Sequence, residues 1–74
     1  MIAVNDFWRI MPEPEIASFS LQKLVPGAAW VTKGFHSTRE GLQDAVTRRC
    51  GYCSPAAAAA IEALPAVAPM EVVT

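Results

Sequence analysis

The segment Cys50-Gly51-Tyr52-Cys53-Ser54-Pro55, with five alanines directly behind it, constrains this chain more than any other. Both cysteines of the protein lie in this one turn. Two thiols three residues apart can chelate one metal ion, ligate an iron–sulfur cluster or close as a small redox disulfide. Ser54 is a good helix N-cap and Pro55 a good first helical residue. Cys53 therefore stands just ahead of a helix N-terminus, where the dipole and free amides favour a thiolate. Arg48 and Arg49 lie beside Cys50 and act in the same direction. The expectation is a pair of sulfurs biased toward the anion that binds metal or attacks a disulfide.

The 74 residues suffice for one small domain, which has little core and often needs a metal, a staple or a partner. A formal charge of −1 leaves no basic excess, which argues against nucleic acid as a partner. No apolar run reaches membrane-spanning length, and the start Met-Ile-Ala-Val-Asn-Asp-Phe-Trp lacks the basic opening and cleavage site of a signal peptide. The expected compartment is the cytoplasm, where close cysteines serve as ligands or redox groups more often than as a staple.

Residues 1–11 read as an N-terminal arm, in which Asn5 or Asp6 could cap a short turn. From Pro12 to Val25 a helix is expected. Pro12 and Pro14 suit its first turn, and Glu13, Glu15 and Lys23 match its dipole. Ile16, Phe19, Ser20, Lys23 and Leu24 follow its period. The competing reading is a strand, because Ala17, Phe19 and Leu21 alternate with Ser18, Ser20 and Gln22. Residues 28–35 read as a connector, with a short extended stretch at Trp30-Val31-Thr32.

Ser37-Thr38-Arg39-Glu40 has the form of a capping box and opens a second helix. Its inner face is Leu42, Ala45, Val46, Arg49 and Cys50, and Gly51 ends it. A final helix runs from Pro55 to Leu64 and stops at Pro65. Residues 65–74 read as an extended tail whose Val67, Met70, Val72 and Val73 would seek a groove on a neighbour. The expected fold is mostly α: two or three short helices in a small single domain, a helical core over 12–64 between extended termini.

On these residues the stretch Gly34 to Leu64 resembles the helical iron–sulfur subdomain in the small subunit of the molybdenum hydroxylases, the xanthine dehydrogenase and aldehyde oxidoreductase group. That family opens a helix with a Gly-hydrophobic-His tripeptide, as in Gly34-Phe35-His36, and ends it at a Cys-Gly-[Tyr/Phe]-Cys-[Thr/Ser]-Pro turn. Ala63-Leu64 matches the end of its second helix. The resemblance implies an electron-transfer part or partner of a larger oxidoreductase. Cys50 and Cys53 would be two ligands of a [2Fe–2S] cluster, and the amides of Gly51 and Tyr52 would hydrogen-bond its sulfur. The family cluster takes a second, Cys-x-Cys pair, and this chain has no cysteine beyond Cys53. Either its cluster would be shared with another chain, which supplies the second pair, or the chain would be a fragment or remnant of such a module that holds none. Arg49 and Ala56 also replace the family's glutamine and glycine.

Other readings of the turn stay open. Cys-Gly-Tyr-Cys also resembles the active-site tetrapeptide of some thioredoxin-fold disulfide isomerases, which need a strand before the first cysteine. Zinc could use Cys50, Cys53 and His36, with no fourth ligand evident. The thiols could also be small apolar groups in a helix–helix turn. No other catalytic constellation is present in the sequence, and no activity is expected of the chain by itself. The alternative function is a small interaction protein, a homo-oligomer or the subunit of a larger assembly, with Phe7, Trp8 and Trp30 as anchors on a protein partner.

Overall fold

A computed structural model describes residues 1–70 of the chain. In it a four-stranded antiparallel sheet precedes two helices. The strands are β1 (Ile2–Ala3), β2 (Trp8–Glu13), β3 (Ser18–Val25) and β4 (Ala29–His36), and they lie side by side in chain order. The helices are α1 (Arg39–Arg49) and α2 (Pro55–Glu62). Strand residues, at 37%, outnumber helical ones at 31%, so the mostly-α, all-α expectation is corrected.

The correction falls on residues 12–36. In β2, buried Trp8 and Ile10 alternate with half-buried Arg9 and Met11. In β3, Phe19 and Leu21 go to the core, while Ser18, Ser20 and Gln22 take the other face. This two-residue period is the strand alternative of the sequence, and it prevails because β3 is an inner strand, paired along both edges. Pro14–Ile16 makes only a 3-10 turn, closed by Ala17 in the left-handed region at φ 49°. Pro12 lies beyond the two residues of β2 that β1 pairs, on the edge where a missing N–H does no harm. Val25-Pro26-Gly27-Ala28 supplies the β3–β4 turn, with the Ala28 amide donating to the Val25 carbonyl and Gly27 at φ 80°. The expected connector 28–35 is thus β4, and Gly34-Phe35-His36 ends a strand rather than opening a helix.

Both helices pack on one face of the sheet. Leu42, Ala45 and Val46 of α1, Cys50 after it and Ile61 of α2 close over Val4, Trp8, Ile10, Phe19 and Leu21. Among the described residues no helix is long and apolar enough to cross a membrane. The helix expected from the capping box is present, but its cap is Thr38. The Thr38 hydroxyl accepts from the Gly41 amide at 3.1 Å, and helix geometry begins at Arg39. Thr38→Ala should therefore cost about 1 kcal/mol in urea unfolding, and Ser37→Ala only a few tenths. An equal or larger loss at Ser37 would restore the cap to that residue.

The segment after α2 folds back on its own chain rather than extending toward a neighbour. The Arg39 amide donates to the Ala66 carbonyl, the Ala68 amide donates to the Ser37 carbonyl, and Thr38 pairs with Val67. The Arg39 guanidinium also donates to the Leu64 carbonyl at 2.7 Å, near the end of α2. Ala68 is buried in the core. The remainder of the expected tail, 71–74, lies outside the described residues.

Candidate interaction surface

The cysteine turn is a structural joint. Cys50 follows the last residue of α1, its amide donating to the Val46 carbonyl, and its side chain is 7% exposed within the core. Gly51 takes φ 68°, the left-handed conformation that ends the helix, as its position in the sequence predicts. Ser54 caps α2 by accepting from the Ala57 amide at 3.1 Å. The turn is tied to the sheet through Asn5. Its Nδ2 donates to the Cys50 carbonyl at 3.0 Å and the Tyr52 carbonyl at 2.7 Å. Its Oδ1 accepts from the Phe7 and Trp8 amides at 2.8 and 3.0 Å. The Ser54 amide adds a bond to the Val4 carbonyl.

This setting reverses the expected thiolate bias at Cys50. Burial, then the neighbouring Cys53, push its thiol up from 9.0 to about 11, and Arg49 opposes them too weakly. Arg48 is engaged elsewhere, paired with Asp44 at 2.9 Å on the exposed side of α1. Cys53 is half-buried at the edge of an apolar groove of about 310 Å³, lined in part by Val46, Ala58 and Ile61. Both thiols are free. Gly51 and Tyr52 stand in the exposed turn. Among the described residues no three His, Cys, Asp or Glu side chains come together to hold a metal ion. The expectation of a metal-binding group held within this chain is corrected accordingly, as is the zinc reading with His36; a cluster shared with another chain would take only Cys50 and Cys53 from this one.

Two outcomes follow. A thiol raised by folding contributes stability below its ordinary value of 9.0 and loses it as pH rises toward about 11. Native stability should therefore fall across that window in the wild type, and fall less in Cys50→Ala, when melting is followed against pH. Anaerobic incubation with iron and sulfide should leave the monomer fraction colourless, because a [2Fe–2S] centre takes four protein ligands and the chain has two cysteines. A red-brown monomer would contradict this.

The opposite face of the sheet carries a different set of groups. Arg9, Met11, Ser20, Gln22, Leu24, Trp30, Thr32 and Phe35 share it by the strand register. The Arg9 guanidinium lies 4.4 Å from the centre of the Trp30 ring, and its Nε donates to Gln22 Oε1 at 2.7 Å. Gln22 Nε2 reaches toward Thr32 Oγ1 at 3.4 Å. Ser20, fully buried under its neighbours, donates to Glu13 Oε1 at 3.0 Å. Phe35 is 56% exposed beside this network. The result is an open sheet face, a platform with an arginine–tryptophan stack and an adjacent exposed aromatic ring.

The three aromatic anchors expected from the sequence separate. Trp30 stands on the platform and Phe7 is exposed in the β1–β2 turn. Trp8 is buried in the core with Lys23 Nζ 5.6 Å from its ring centre, so it supports the fold and offers no surface. Arg9, Gln22 and Phe35 belong to the platform and were not among the expected anchors. Their common face becomes visible only once β2, β3 and β4 are paired, because a bulge breaks the alternation between Thr32 and Gly34. No family model, curated protein or solved structure matches the chain.

Proposed function

We propose that the chain is a non-enzymatic interaction module that binds a larger protein through the sheet face the helices leave open. The observation that carries this reading is the asymmetry of the sheet. Both helices cover one face, while the other holds Arg9 stacked on Trp30 next to exposed Phe35. Tryptophan and arginine held in place by packing lose little conformational freedom on binding and are the residues that most often anchor interfaces. Surrounding Gln22 and Thr32 supply a polar rim already hydrogen-bonded within the protein. Phe7 lies outside this platform and would contribute only to a partner that wraps the β1–β2 turn.

Photo-crosslinking inside the producing cell tests the reading. A benzoylphenylalanine at position 35 should give a discrete protein adduct, and the same group at position 52, in the cysteine turn, should not. An adduct from position 52 with none from position 35 would move the working surface to the helix side.

A further inference from the structure

The two edges of the sheet are treated differently. On the β2 edge, β1 pairs Arg9 and Ile10, and Pro12 removes a donor from what remains. On the other side β4 presents eight residues without a proline, next to no further strand among the described residues. A long free edge of this kind is a template for another strand.

Within β4, Lys33 is an extra residue: Leu21 lies opposite Gly34 and Gln22 opposite Thr32, leaving Lys33 without a counterpart. This bulge has a consequence for self-pairing. In a regular eight-residue strand, full antiparallel overlap with a second copy would set each residue against one of the opposite face. One bulge at the centre removes that mismatch. Ala29 then meets His36 of the other copy, Trp30 meets Phe35, Val31 meets Gly34 and Thr32 meets Lys33, so that helix-side Ala29 and Val31 meet helix-side His36 and Gly34 while open-face Trp30 meets open-face Phe35. Trp30 and Phe35 thus form a cross-strand aromatic pair twice, on the open face.

We infer that β4 pairs with β4 of a second copy about a two-fold axis between Thr32 and Lys33, joining two sheets and their open faces into one. A bulge and a lysine at an edge ordinarily discourage pairing, and the two Lys33 ammonium groups lie near the axis. The association is accordingly weak, and salt strengthens it. The inference extends the partner-binding reading by supplying a doubled platform. A monomer that still crosslinks through position 35 would defeat the dimer and leave that reading intact.

Sedimentation equilibrium of the full reduced chain, from micromolar to millimolar, is the test. The expected result is a reversible monomer–dimer equilibrium. Thr32→Glu, facing Lys33 of the other copy, should tighten it about threefold or more, and Thr32→Lys should weaken it by a similar factor, given two symmetric cross-strand pairs. Thr32 is exposed, so both variants should melt like the wild type. Amide exchange in 29–36 of the wild type should also slow as concentration rises. A monomer across the whole range, or a dimer indifferent to the sign of the charge at position 32, would overturn the inference.

Discussion

Replacing Asn5 with alanine is expected to destabilise the protein by about 3 kcal/mol, four hydrogen bonds each contributing roughly 0.75 kcal/mol net. The side chain serves two purposes at once. Its oxygen shapes the turn into β2 by accepting from Phe7 and Trp8, and its nitrogen holds the α1–α2 turn by donating to the carbonyls of Cys50 and Tyr52. The double role makes the aspartate variant informative. A carboxylate at this position would keep the acceptor but face two carbonyl oxygens. Asn5→Asp should therefore lose at least as much stability as Asn5→Ala at neutral pH and recover part of it on acidification, when a protonated carboxyl can donate once. Urea unfolding at two pH values checks both statements. Wild-type stability in Asn5→Ala would remove the joint between sheet and helices from this account.

Leu21→Ala should cost about 3 kcal/mol, the range for deleting a fully buried leucine whose surroundings relax only in part. Leu21 is 0% exposed at the middle of β3, pairs with Ile10 on one side and Gly34 on the other, and lies in the same cluster as Leu42 and Val46. Its neighbour Ser18, on the other face, should tolerate alanine within a few tenths. The contrast between positions 18 and 21 is the energetic form of the two-residue period. A helix over residues 12–25 would not separate them in this way.

The helical half of the molecule was legible in the sequence because its signals are local. A hydroxyl cap, an apolar face and a glycine stop mark α1, and Ser54-Pro55 with the alanines marks α2. The cap moved by one residue, since Ser37 and Thr38 offer the same hydroxyl and the choice rests on the chain path out of β4, and α2 ends at Glu62 rather than Leu64. The strands were not legible for a physical reason. A strand is stabilised by its partners, and β3 has partners on both edges, from segments that carry no strong signal alone. Prolines and glutamates at 12–15 satisfy the rules for a helix start equally well as a turn between strands. At β4 the bulge set Trp30, Thr32 and Phe35 two and then three residues apart, which hides a common face.

At the cysteine pair a local motif suggests a thiolate where the surroundings give Cys50 a buried thiol. Dipole and arginines were visible in the sequence. The sequence also places Cys50 on the inner face of its helix, and the depth of its burial beneath the sheet outweighs Arg49. His36 follows the same logic, held below its ordinary 6.5 first by burial and then by Arg49 and Arg48. It favours the folded state above that value and withdraws the contribution as pH falls below it.

The central claim is that the protein works through the open face of its sheet while the cysteine turn only holds the fold. The most direct measurement is retention of the crosslinked partner in two variants that each still melt cooperatively. The account predicts that Arg9→Ala/Trp30→Ala loses the partner at least tenfold, and that Cys50→Ala/Cys53→Ala keeps it at the wild-type level. Retention by the first with loss by the second would contradict it.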